Sequence, residues 1–170
     1  FQRPTVVWQE LKVPVIAAVE GVAFGAGIQL ALAADFRFVA NDARMAIMEA
    51  KWGIIPDMGI SQSLPQLLRA DQAKELIMTG RIIEAAEEHA LGLATYLSMD
   101  PIADARKMAA DLAARSPDSI AGSKALVDQL WSTGRDQLVL EGELQSKIVG
   151  YPNQLETVMA QMQKRPPNYK

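Results

Sequence analysis

The sequence predicts an α/β fold in which residues 1–99 alternate strand and helix and residues 100–170 are helical. Three observations carry this expectation. Residues 15–19 (Val-Ile-Ala-Ala-Val) form a short β-branched run that is apolar on both faces, as in a strand covered on both sides. Gly21, Gly25 and Gly27 then break the run, and from Ala26 the apolar residues Leu30, Ala33 and Ala34 recur at helical spacing. Beyond Asp100, the pairs Asp100-Pro101 and Ser116-Pro117 are each a capping residue followed by a proline, and open helices over 102–115 and 118–132.

The remaining elements follow in order. Thr5 to Leu11 is amphipathic and helix-like. Residues 36–40 and 44–48 are two further strands, joined by the turn residues Asn41-Asp42-Ala43. Residues 53–59, with Pro56 and two glycines, are loop. Ser61 or Ser63 caps a helix reaching Arg69, and Asp71 caps a second one ending near Met78. A brief strand at 81–83 leads to a helix over 84–91 that Gly92 stops, and 94–97 is again strand-like. Two last helices cover 137–149 and 153–164; Arg165-Pro166-Pro167 cannot continue a helix. No internal repeat or low-complexity segment is visible.

Composition excludes several classes. The 170 residues suffice for one domain with a core, and 49% hydrophobic with 22% charged residues is ordinary for a globular chain. A net charge of −3 gives no basic footprint for nucleic acid or an anionic membrane. The absence of cysteine removes disulfides and thiolate chemistry. His89 is the one histidine and reads as a surface residue rather than a triad member. Residues 13–34 match the roughly 20 residues that span a bilayer, but Pro14, Glu20, Gln29 and the glycines divide them into two buried elements. Phe1 opens the chain without initiator methionine or signal-peptide pattern, as expected of a piece of a larger protein. The expected location is cytoplasmic.

Two segments can carry chemistry. Gly25-Ala26-Gly27 lies between a buried strand and a helix start, where the first N–H groups have no partner within the helix. Such a turn suits an oxyanion or a phosphate, and close packing of strand on helix explains the glycines equally well. The spacing is neither the dinucleotide fingerprint nor a P-loop. In the second segment, Glu49 and Asp57 stand among Met48, Trp52, Ile54, Ile55 and Met58. Apolar surroundings raise a carboxyl pKa and allow proton transfer near neutral pH. Taken alone, Glu49 reads as a surface charge.

Together the segments carry a resemblance. Residues 14–30 (PVIAAVEGVAFGAGIQL) with Ala34-Asp35, then Glu49 to Gly59, Thr79-Gly80-Arg81 and Ala90-Leu91-Gly92-Leu93, resemble the crotonase, or enoyl-CoA hydratase/isomerase, superfamily. The match runs through nearly the whole chain. It implies a crotonase-like spiral of ββα units with a C-terminal helical region that builds a homotrimer or dimer of trimers. The apparent absence of an N-terminal half would leave the site incomplete and a sheet edge exposed.

The resemblance also implies an acyl-CoA substrate, with coenzyme A as part of it, and no other cofactor. Two backbone N–H groups hold the thioester oxygen; one corresponds to Ala26, and the other lies in the N-terminal half. Of the hydratases' two acid/base positions, Glu49 matches one and Gln29 replaces the other. A glutamine cannot exchange a proton as a carboxylate does. The expected alternatives are a proton shuttle of the dienoyl-CoA isomerase type, using Glu49 and Asp57, and a catalytically silent acyl-CoA binder. Trp52 fits either an acyl-pocket wall or a packed core position. Lys51 fits either a CoA phosphate contact or a solvated lysine.

Overall fold

The computed structural model describes residues 2–131 and 137–169; Ser132, the expected end of one helix, lies outside them. The chain starts with helix α1 (Arg3–Glu10) and then alternates between two sheets. Strand β1 (Ile16–Val19) enters the first sheet. The chain turns at Gly21, whose φ of 65° favours glycine, into β2 (Val22–Phe24) of the second. Helix α2 (Ala26–Leu32) brings it back to β3 (Phe36–Ala40), and the 41–43 turn leads on to β4 (Arg44–Ala46). Two strands and a returning helix thus form the unit of a ββα spiral.

The outer turns complete both sheets. After β4 come a 3₁₀ turn (Glu49–Trp52), α3 (Ile60–Leu67), α4 (Ala70–Thr79), β5 (Ile83–Glu84), α5 (Ala85–Leu91) and β6 (Tyr96–Ser98). The first sheet runs β1-β3-β6, all parallel, with Ile16 opposite Phe36 and Phe38 opposite Tyr96. The second runs β2-β4-β5, with β2 parallel and β5 antiparallel to β4. β1 and β2 are terminal strands of their sheets. Ile28, Val39, Met45, Ile47, Leu76, Ile83 and Leu93 form the fully buried centre. Each such side chain contributes about 1.5–3 kcal/mol of transfer free energy.

Four helices follow: α6 (Pro101–Ala113), α7 (Pro117–Trp131), α8 (Gln137–Ser146) and α9 (Pro152–Gln163). Asp100 caps α6 by accepting from the Ala103 N–H at 2.9 Å, as its sequence position predicts. α6 lies on β1, β3 and β6. α7 is tied to the core by the Lys124 ammonium, which pairs with Asp35; Asp35 also accepts from the Val15 N–H at 2.6 Å.

Several local expectations change. β1 is not buried on both faces, since Ala18 is exposed. β2 is a strand where the sequence shows a glycine-punctuated stretch, because parallel pairing with β4 sets three residues extended. Neither serine caps α3: Gly59, at φ 87°, precedes it, and Ser63 lies inside, donating to the Ile60 carbonyl. α4 begins at Ala70 with Arg69 as its N-cap, two residues before the cap expected at Asp71. The Arg69 N–H donates to Gln72 Oε1, and Asp71 pairs with the Arg69 guanidinium. α8 ends at Ser146 rather than 149, followed by a turn through Gly150.

Candidate active site

The glycine turn is fixed by backbone bonds. Gly25 adopts φ 54° and ψ −113°, a region that a side chain disfavours. Its N–H donates to the Ala46 carbonyl of β4 at 2.9 Å, and its carbonyl accepts from the Gln29 N–H at 3.3 Å. The Gly25 amide is therefore committed to the fold. The next amides, Ala26 and Gly27, are the first of α2 and have no acceptor one turn back. Ala26 is exposed. A Cβ on Gly27 would meet only the Ala23 methyl, at an ordinary 3.7 Å, so close packing does not require that glycine.

The acid segment lies against this turn. Glu49 opens the 3₁₀ turn three residues after β4 and is 7% exposed. A Cβ on Gly25 would lie 3.5 Å from Glu49 Oε1, so the carboxyl sits beside the turn. Oε1 accepts from Gln29 Nε2 at 2.6 Å, while Oε2 is buried without a hydrogen-bond partner. Burial pushes the Glu49 pKa up, and the nearby Asp57 charge adds to that. Its own backbone amide and the Gln29 amide pull the other way. Gln29, 1% exposed, also accepts from the Met58 N–H at 2.8 Å, next to half-buried Asp57. The fold thus brings Gly25, Gln29, Glu49 and Asp57 together.

Residues that the sequence does not flag hold this segment. Thr5, 1% exposed, has its hydroxyl 2.6 Å from the Met58 carbonyl and 2.7 Å from that of Gln2. Gln145 of α8 reads both sides of Ile55, accepting from its N–H and donating to its carbonyl, each at 3.2 Å. Gly53, at φ 69°, lets α9 approach so closely that a Cβ there would stand 2.7 Å from Thr157 Oγ1. Gln161 donates to the Lys51 carbonyl at 3.0 Å. Nothing in residues 49–59 announces these partners, which come from up to 110 positions away.

Other expected residues fall differently. Trp52 is 45% exposed, which rules out a packed core position. Lys51 lines a cleft of about 350 Å³ with Gln161, Lys164 and Tyr169. His89 is exposed, with Nδ1 3.3 Å from the Ala94 carbonyl. A larger cleft of about 710 Å³ lies beside Asp35, Leu67 and Lys124 and touches neither Glu49 nor Gly25, so chemistry rather than volume marks the site. Among the described residues no group of three acidic, His or Cys side chains could hold a metal. No helix among them is long and apolar enough to cross a membrane.

A carboxyl of raised pKa beside unpaired amides is suited to moving a proton next to an oxygen that gains negative charge. Comparison with known proteins bears on which oxygen. A family model described as enoyl-CoA hydratase/isomerase matches residues 5–170. Methylglutaconyl-CoA hydratase, mitochondrial, of Mus musculus is 36% identical over 170 residues, covering 94% of this chain and 53% of the relative. Carnitinyl-CoA dehydratase of Salmonella arizonae is 37% identical over 172 residues, covering 95% and 64%. A solved enoyl-CoA hydratase/isomerase from Pseudoalteromonas atlantica superposes with a TM-score of 0.90 at 27% identity, covering 98% of this chain and 68% of that one. The chain spans about half the length of the mouse relative.

Proposed function

The chain belongs to the enoyl-CoA hydratase/isomerase family, and from that premise we propose that it is the acid/base part of an enzyme acting on acyl-CoA thioesters. The Ala26 N–H donates to the thioester oxygen and stabilises the enolate that forms when a proton leaves the acyl chain. Glu49 takes and returns that proton. The observation that carries the proposal is the buried Glu49 carboxyl with one unpartnered oxygen, set against the Gly25 turn. Asp57 is the second proton carrier in the isomerase form of the reaction. Trp52, exposed beside Glu49, is an acyl-pocket wall. No metal or redox cofactor is assigned, because a carboxyl and amide donors suffice for this proton transfer.

The same proposal has finer parts. The exposed apolar residues Leu126, Val127, Trp131, Leu155, Met159 and Met162 suit a trimer, or a dimer of trimers, built on the C-terminal helices. A cytoplasmic location fits a chain without cysteine, though the mouse relative is named mitochondrial. Neither nucleic acid nor a membrane is assigned as partner.

Glu49→Gln in the complete protein is the test. Turnover of 2-enoyl- and 3-enoyl-CoA should fall on the order of 10²–10⁴-fold, the usual contribution of a positioned acid/base. In the unmodified protein the rate should fall as pH drops through a midpoint above the ordinary carboxylate value, since only ionised Glu49 accepts a proton and its pKa is raised. An unchanged rate in Glu49→Gln would remove Glu49 from the mechanism. Gln29 favours a second reading, a silent acyl-CoA binder. That reading holds if CoA esters bind and none is turned over.

A further inference from the structure

Gln29 is buried, and both ends of its amide are engaged on separate segments. Its orientation has only one solution. The Met58 main-chain N–H can only donate, so the Gln29 oxygen must face it. The amide NH₂ must then face Glu49 Oε1. With an N–H already aimed at Oε1, a proton on the Glu49 carboxyl has its place on Oε2, the oxygen without a partner. Turning the protonated carboxyl by half a turn would set its O–H against the Gln29 N–H, two donors facing each other, and lose the 2.6 Å bond in a buried setting.

We infer that Gln29 is a positioning residue: it clamps one oxygen of Glu49 to the Met58 backbone, leaving Oε2 as the single proton-carrying atom and holding it in register with the Asp57 segment. The inference rests on the acid/base reading of Glu49. It gives the glutamine a task distinct from accepting or donating a proton. The Gln29 N–H also favours the ionised form of Glu49, working against burial. The clamp therefore keeps a buried carboxyl titratable while fixing its direction.

The test uses the complete protein with two variants. Gln29→Met keeps length but neither donates nor accepts; Gln29→Glu still accepts from Met58 but cannot donate once ionised. The Glu49 carboxyl is titrated by ¹³C NMR without substrate, and exchange of the α-protons of butyryl-CoA into D₂O is followed separately. The clamp predicts that the Glu49 midpoint moves to higher pH in both variants. It also predicts that kcat for exchange falls roughly 10- to 100-fold, the equivalent of one hydrogen bond to a charged group, with KM little changed. A Glu49 midpoint that stays put in folded Gln29→Met overturns the clamp, even where exchange proceeds. A shifted midpoint in a protein that exchanges no α-proton keeps the clamp and overturns the acyl-CoA reading. Should Gln29→Met fail to fold, Gln29→Leu, which likewise neither donates nor accepts and adds no charge, is titrated in its place.

Discussion

The glycine turn and the Glu49–Asp57 segment adjoin each other but are held by different means. The turn is set by main-chain bonds: Gly25 to Ala46, Gln29 to Gly25, and β2 against β4. The acid segment is set by side chains reaching in from α1, α2, α8 and α9, through Thr5, Gln29, Gln145 and Gln161. A backbone-built turn tolerates side-chain change wherever the backbone geometry survives. A side-chain-built loop fails one partner at a time. The proposed oxyanion donor is thereby tied to the sheets and the proposed proton carrier to the helices.

The largest effect should come from the element common to both regions. β4 holds Gly25 through Ala46 and delivers Glu49, and Met45 on it lies over α5, where Glu88 is fully buried with neither carboxyl oxygen hydrogen-bonded. Burial raises the Glu88 pKa to about 7, with the Glu84 and Glu87 charges adding and the Met45 amide opposing. The folded state therefore holds this proton more tightly than the unfolded one. The contribution of Glu88 to stability is greatest below the ordinary value of 4.5, falls as pH rises through the interval up to about 7, and then levels. The total loss is about 3 kcal/mol. Urea unfolding across this range should show the slope, and Glu88→Gln should flatten it. An unchanged slope in the variant would assign it to other groups.

Gly53→Ala separates the regions. The added methyl meets Thr157 Oγ1 at 2.7 Å and the Gln154 backbone at 3.3 Å, in a left-handed conformation. A loss of about 2 kcal/mol is expected, with amide exchange rising in residues 49–58 and α9 while α2 stays protected. Equal loosening of α2 would mean the two regions are one unit. The smallest effect is Gln145→Ala, which removes both bonds to Ile55 and should cost about 1 kcal/mol. Its check is faster exchange of the Ile55 amide, with the Gly25 amide unaffected.

This difference also explains what could be read from the sequence. β3 shows apolar residues at 36 and 38–40 around Arg37, Gly92 stops α5, and Asp100 caps α6, because each signal lies within or beside the element it controls. The Gly25 turn is flagged by its glycine spacing, whereas Gln29 and Glu49 enter the site only through the resemblance to the crotonase superfamily. β2 is hidden, since three residues between glycines carry too little pattern and Val22 is exposed. The 3₁₀ turn at Glu49 and the supports Thr5 and Gln145 depend on contacts 53 and 90 positions apart, which no local window contains. Trp52 leaves a pocket wall and a core position both open in the sequence; its exposure in the turn ending at Gly53 removes the core position.

The Asp35–Lys124 pair has a consequence for behaviour in concentrated salt. The side chain of Lys124 is only 9% exposed and that of Asp35 22%, whereas Arg3–Glu10 and Arg69–Asp71 lie open to solvent. Near 1 M ionic strength the screening length shrinks to about 3 Å, and exposed pairs lose most of their attraction. A pair shielded by protein keeps its own. Brine should therefore act on the molecule unevenly, loosening its outer charges while the joint between α7 and the head of β1 stays closed.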